Sequence, residues 1–174
     1  MKRKIIIAGI ACLTSVFMMA AALADEEKPY AFEEKPWVEG ETKLPGYPQE
    51  QNLIEFYVGP TERNRFFVDG STLDIGADGV VRYAMVLKTT SGAINVTLEA
   101  LRCATREFKL FAIGRSDATW SKVGVPQWRL IENKSINHYR SVLSRNFLCP
   151  AGATPRDAAD ARKALMHGKH PEAT

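Results

Sequence analysis

Two runs of alternating apolar residues, joined by a short glycine turn, constrain this chain more than any other feature. In Val80–Lys88, the residues Val81, Tyr83, Met85 and Leu87 share one face of an extended strand, because successive side chains point to opposite faces. In the run from Ile94, the residues Ile94, Val96, Leu98 and Ala100 alternate with Asn95, Thr97 and Glu99. Thr90-Ser91-Gly92 supplies the turn between them. Together they read as an antiparallel hairpin.

Shorter β-prone runs surround it. Leu53–Val58 is stopped by Gly59-Pro60, Arg65–Val68 by Asp69-Gly70, and Ser71–Ile75 by Gly76. Glu107–Gly114 gives another strand, and Trp120 and Gln127–Ile131 give short ones. Five to seven strands therefore predict a curved antiparallel sheet or small sandwich. Helical spacing begins only after the strands. From Ser135, the residues Ile136, Tyr139, Val142, Leu143 and Phe147 form an apolar stripe, with Arg140, Ser144 and Arg145 on the other side. Ser135 or Asn137 is the expected cap of that helix. A second helix is expected with Thr154 as N-cap, Pro155 at its first turn, a stripe of Ala158, Ala161 and Leu165, and Gly168 as its stop. Strands first and helices last predict a single α+β domain.

The N-terminus bears on compartment. Residues 1–24 read as a secretory signal peptide: Lys2, Arg3 and Lys4 precede the apolar run Ile5–Leu23, and Ala22-Leu23-Ala24 offers a cleavage site. A retained membrane anchor is the competing reading. Cleavage removes three cations and no anion. The full chain has 23 Lys+Arg against 20 Asp+Glu, so the mature chain is formally neutral. The precursor's basic balance is then no argument for nucleic acid as a partner. Of three cysteines, Cys12 leaves with the signal, and Cys103 and Cys149 remain. An even pair in an oxidising compartment reads as a structural disulfide, worth roughly 4 kcal/mol by loop-closure entropy. Residues 25–52 form a leader interrupted by Pro29, Pro36, Pro45 and Pro48. Its Trp37, Val38, Leu44 and Tyr47 are apolar enough for part of it to lie across the folded body. The α+β domain is expected over 53–168, with 169–174 frayed.

The chain lacks a Gly-x-Ser-x-Gly elbow, a phosphate-cradling Gly-x-x-x-x-Gly-Lys loop and a His-Glu-x-x-His zinc motif. No cofactor and no metal are expected. Of the three histidines, His138 reads as a solvated helix residue, and His167 and His170 fall near the frayed end. Asp69, Asp74 and Asp78 form the best acidic cluster. They keep only a fragment of a calcium loop, since position 76 is glycine. Exposed aromatics stack on sugars and lipids, so Trp120, Trp128, Tyr83 and Phe111 are candidates for a ligand platform. Arg82, between Val81 and Tyr83, is expected either to reach solvent or to pair with a carboxylate such as Glu99 across the hairpin.

The segments Gly76-Ala77-Asp78-Gly79-Val80-Val81-Arg82-Tyr83, Ser91–Val96, Glu99–Cys103, Trp120 and Asn146-Phe147-Leu148-Cys149-Pro150 resemble the cryptic neisserial protein family, over roughly Leu53 to Leu165. The resemblance implies an exported single-domain envelope protein of Gram-negative bacteria and carries over no catalytic residue. The resulting expectation is a periplasmic or secreted binding module for an envelope protein, glycan or lipid, using Arg82, Tyr83, Trp120 or Trp128. No membrane span is expected after cleavage. The alternative is a carboxylate-dependent hydrolase acting on an envelope glycan, using Glu99 with Asp69, Asp74 or Asp78.

Overall fold

The expected hairpin is the centre of the sheet. In the computed structural model of the protein, which describes residues 36–134 and 138–173, Val80–Lys88 pairs with Ile94–Arg102, from Val80 opposite Arg102 to Lys88 opposite Ile94. Numbered in chain order, the strands are β1 (Leu53–Phe56), β2 (Arg65–Asp69), β3 (Asp74–Ile75), β4 (Val80–Lys88), β5 (Ile94–Arg102), β6 (Glu107–Gly114), β7 (Trp120–Lys122) and β8 (Arg129–Leu130). All eight belong to one antiparallel sheet, ordered β1-β2-β4-β5-β6-β7, with β3 beside β4 and β8 beside β6. The architecture is one sheet rather than a sandwich. The run from Ser71 pairs only over Asp74–Ile75 because its start is a turn: Thr72 N–H and Oγ1 both donate to the Asp69 carbonyl. A bulge between Leu98 and Glu99 leaves Phe111 of β6 without an opposite residue, which locally strengthens the sheet's twist.

Alternation along β4 assigns its two faces. Val81, Tyr83 and Met85 join the main core with Phe56, Phe66, Val68 and Leu101. That face is covered by α1 (His138–Leu143), its π-helical continuation Ser144–Leu148, and α2 (Ala158–Met166). Leu143, Phe147, Leu148 and Leu165 are the buried side chains these helices contribute. The opposite face carries Val80, Ala84 and Val86, also buried. It is covered by the Pro-rich segment from Pro36 to Gln49, which holds the sheet through side chains rather than as a strand. The compact unit accordingly runs Pro36–Thr174, so the second half of the leader is part of the body. The signal peptide and residues 25–35 lie outside the described residues. So do the helix-cap candidates Ser135 and Asn137, and Ile136.

The helical layer differs from expectation in three places. Arg140 and Ser144, read as the solvated side of the first helix, are 9% and 8% exposed: Arg140 turns inward to the buried Glu99 carboxylate, and Ser144 begins the π-helix. The N-cap of α2 is Asp157, whose Oδ1 accepts from Asp160 N at 2.8 Å. Thr154 is drawn away, donating to the Gly79 carbonyl at 3.0 Å. The tail expected to fray is pinned: His170 is 6% exposed and its N–H donates to the Asn146 carbonyl at 2.8 Å. The disulfide forms between Cys103, just past β5, and Cys149, just past the π-helix, with Cα atoms 5.2 Å apart. It ties the helical layer to the end of the central hairpin. Among the described residues no helix is long and apolar enough to cross a membrane.

Candidate functional site

The strongest polar constellation is buried between the sheet and α1. Glu99 has no solvent exposure. Arg140 grips it with both arms, Nε to Oε2 at 2.9 Å and Nη2 to Oε1 at 2.6 Å. Thr97 Oγ1 donates to Oε1 at 3.0 Å, Tyr139 OH to Oε1 at 3.3 Å and Tyr83 OH to Oε2 at 3.4 Å. The Arg140 guanidinium also sits 4.3 Å from the Phe108 ring centre. Burial pushes the Tyr83 phenol well above its ordinary range, and the Glu99 charge adds to that. Tyr139 is raised for the same two reasons. Burial opposes the Arg140 charge, but its bonds to Glu99 outweigh burial and raise it. A bidentate pair with its remaining lone pairs filled is what a dry interior requires of an ion pair. Its donors are occupied holding Glu99, so this cluster organises the core.

The second constellation is on the opposite face. Arg82 is 5% exposed and pairs with Asp78 at 2.5 Å, not with Glu99. In the hairpin register Arg82 faces Ala100, while Glu99 faces Tyr83, so Arg82 and Glu99 point to opposite sides of the sheet. Arg82 also binds the leader, Nε to Thr42 Oγ1 at 2.8 Å and Nη2 to the Gly40 carbonyl at 3.1 Å. Asp78 Oδ2 accepts from Gly40 N at 2.7 Å, and the Asp78 carbonyl accepts from Trp37 Nε1 at 2.8 Å. The Arg82 bond holds the Asp78 carboxyl at about 2, against burial, helped by the Gly40 and Val80 N–H groups. Gly76 has no room for a side chain, since one would run into Asp78 and Arg82. The fragment that resembles a calcium loop is therefore a guanidinium clamp.

Both tryptophan candidates serve the same leader. Trp120 Nε1 donates to the Pro45 carbonyl at 2.9 Å, and its ring lies 5.3 Å from that of Tyr47. Trp128 Nε1 donates to Glu39 Oε2 at 3.1 Å and meets Trp37 edge-on at 6.1 Å. Lys109 completes the cluster, 2.7 Å from Glu39. Arg82, Trp120 and Trp128 thus gather against one strap, and Tyr83 lies in the core on the other face. The other candidates stay apart. Asp69 caps its own turn, accepting from Ser71 N and Oγ, and Asp74 is exposed at the rim. His138 Nδ1 is 2.7 Å from Asn133 Oδ1, and His167 is exposed. Among the described residues no group of three or more His, Cys, Asp or Glu side chains could hold a metal ion.

The larger of two concavities on the leader face among the described residues is apolar. It measures about 520 Å³ and lies at the turn end of the hairpin, between the strap and β6. Val86, Val96, Leu53 and Tyr47 give it an apolar floor, with Arg115 and the Lys88–Glu50 ion pair at the rim. Ile94, 63% exposed, stands beside it. Gly114 keeps the floor open: a Cβ there would come within 2.6 Å of Val96 and 2.7 Å of the Tyr47 hydroxyl. The volume and lining fall in the range of small-ligand sites. Sequence reasoning did not assemble this site, because one wall of it, Tyr47, Pro48 and Glu50, comes from a leader without periodic structure. Its one legible sign was Tyr47, an apolar side chain in a polar, proline-broken segment.

Residues 32–166 match the model of the CNP1-like family, a span that includes every segment on which the family resemblance rests. No curated protein and no solved structure matches the chain.

Proposed function

The chain belongs to the CNP1-like family, and on that premise we propose that it is an exported, envelope-associated binding module whose ligand has an apolar body. The observation that carries the reading is the 520 Å³ concavity with an apolar floor, whose mouth carries Arg115 and the Lys88–Glu50 ion pair. Export is supported by the cationic-apolar-small pattern of residues 1–24 and by a disulfide that an oxidising compartment would preserve.

Binding is favoured over paired-carboxylate hydrolysis by where the acids sit. Glu99 and Asp78 lie on opposite faces of the sheet. Asp78, held at about 2 by Arg82, is not a proton donor near neutrality. A glycosidase-type pair needs two carboxyl groups flanking one bond, with one of them protonated.

The test is a titration of the mature chain with a fluorescent naphthalene sulfonate dye, paired with mass spectrometry of organic extracts of protein purified from the periplasm. Saturable dye binding that Ile94→Glu and Gly114→Val both weaken supports the reading. Absence of dye binding together with an empty extract refutes it, and recovery of the protein solely from the cytoplasm refutes export.

A further inference from the structure

A different cavity, on the helical side, has the composition of an anion site. It encloses about 330 Å³ at the mouth of the Cys103–Cys149 disulfide. Two guanidinium groups, Arg106 and Arg145, and two hydroxyls, Ser141 and Ser144, line it, and among the described residues no carboxylate does. Ser141 and Ser144 are 6% and 8% exposed. Ser141 Oγ accepts from Arg145 at 3.5 Å, the long limit of a hydrogen bond. Arg106 and the Ser144 hydroxyl have no side-chain hydrogen bond among the described residues. The interior arginines, Arg82 and Arg140, are each bound to a carboxylate, whereas Arg106 and Arg145 are exposed and line one cavity with no acid among its described lining residues.

The backbone around the cavity is also shaped at some cost. Of three non-glycine residues with positive φ among the described residues, two line it: Arg106 at 55° and Ala151 at 49°. Side chains other than glycine's disfavour that region by roughly 1–2 kcal/mol. Such outliers persist where surrounding structure fixes them and cluster at ligand sites. Arg106 is fixed from both sides, its N–H donating to the Cys103 carbonyl and its carbonyl accepting from Ile131 N. The π-helix Ser144–Leu148 starts at the cavity wall. π-turns are rare, cost regular hydrogen bonding, and recur at functional sites.

We propose that this cavity binds a phosphate group. Arg106 and Arg145 supply charge and forked N–H donors, which match a tetrahedral oxyanion, and Ser144 Oγ supplies a neutral donor from the buried wall. A planar carboxylate would use one fork and leave the second guanidinium and the hydroxyl unengaged. The same chemistry could come from free phosphate, a soluble phosphomonoester or a lipid headgroup. The cavity is separate from the apolar concavity of the proposed function, and neither assignment depends on the other.

The test uses the oxidised mature chain. Inorganic phosphate is titrated while backbone amide NMR shifts are followed, and co-sedimentation with phosphatidylglycerol vesicles is measured in parallel. The expected result is saturable shifts at Ser144, Arg145 and Gly152, weakened about tenfold in each of Arg106→Gln and Arg145→Gln. Ser144→Ala leaves every charge in place and weakens binding several-fold. Saturation by phosphate without vesicle binding assigns a soluble source. Vesicle binding lost in the Arg106→Gln/Arg145→Gln double variant assigns a headgroup. Because Arg106 and Arg145 are exposed, the variants are expected to keep the wild-type thermal midpoint, which is checked alongside. No shift at 20-fold the protein's concentration and beyond, or equal phosphate and chloride effects, or wild-type binding in the double variant, overturns the proposal.

Discussion

At the scale of single residues, Glu99 and Asp78 are both carboxylates held by an arginine, on opposite faces of one hairpin. Glu99 satisfies Arg140, Thr97 and two tyrosines at once. Truncating it leaves the Arg140 charge in a site built to neutralise it. Loss of one partner of a buried pair costs about 3–5 kcal/mol. Glu99→Ala is therefore expected to lower unfolding stability by about 3 kcal/mol in urea melts, and Glu99→Leu with Arg140→Met to recover much of it. A loss below about 1 kcal/mol in the single variant would show that the pair is not the core's organiser. Asp78 predicts a pH effect. Its carboxyl sits at about 2 in the fold against an ordinary 3.8. The folded value is depressed, so the stabilisation is present above pH 4 and is lost as pH falls from about 4 through 2, amounting to about 2 kcal/mol. Chemical denaturation across that window should show the loss in the wild type, and Asp78→Asn should be less stable at neutral pH and lose less than the wild type between pH 4 and 2, where the depressed carboxyls of Asp160, Glu55 and Asp117 still contribute. Both acids were legible as candidates. Their partners were not: Arg140 sits on a helix where charge ordinarily marks the wet side, and its inward turn depends on the sheet residue beneath it.

Among the elements, the strap of residues 36–49 does what the second sheet of a sandwich would do. Period-two alternation correctly put Val81, Tyr83 and Met85 on one face. The other face of β4 is just as buried, with Val80, Ala84 and Val86 at 3% exposure or less. The alternation misses this because Arg82 sits among them. A buried arginine breaks an apolar pattern in sequence as an exposed one would. The strap itself cannot be found by periodicity, since Pro36, Pro45 and Pro48 keep it out of helix and ladder and its hold comes from individual side chains. Beginning the chain at Leu53 would remove Trp37, Gly40, Thr42 and Tyr47 from their contacts, leaving the Arg82–Asp78 pair and Val86, Val96 and Leu98 uncovered. That truncation is expected to lose about 3 kcal/mol or more, to bind hydrophobic dye non-saturably and to self-associate. A truncated chain that melts cooperatively within about 2 °C of the full mature chain would show the strap to be peripheral. Trp120→Ala, which removes the Pro45 bond and the Tyr47 contact while keeping the chain intact, should loosen only this end of the strap, read as faster protease cleavage near Lys43.

For the molecule as a whole, the question is how a sheet built from neighbouring hairpins keeps its helical layer. Strand pairing here is local: β4 meets β5, β5 meets β6 and β1 meets β2. The helices arrive only after the last strand. Cys103 and Cys149, 46 residues apart, fasten the end of β5 to the end of the π-helix. The tether therefore joins the two layers at points far apart along the chain. The pair Cys103 and Cys149, with Cys12 set apart in the N-terminal apolar run, and the order of elements were enough to read this from sequence, whereas the π-turn and the pinned His170 arise from packing and left no periodic trace. Replacing both cysteines by alanine enlarges the unfolded ensemble by the freedom of that loop, worth roughly 4 kcal/mol. Urea melts should show that loss together with a larger denaturant dependence, since the unfolded chain then exposes more surface. In a protein of this length the thermal midpoint should fall by roughly 10 °C. Native-state hydrogen exchange separates two ways of losing it. If α1 and α2 open together while β4 and β5 stay protected, the bond is what joins the two layers. If every element loses protection equally, the layers already fold as one unit, and the bond acts only on the unfolded chain. A change below about 1 kcal/mol would mean that Leu143, Phe147, Leu148 and Leu165 hold the helices in place without it.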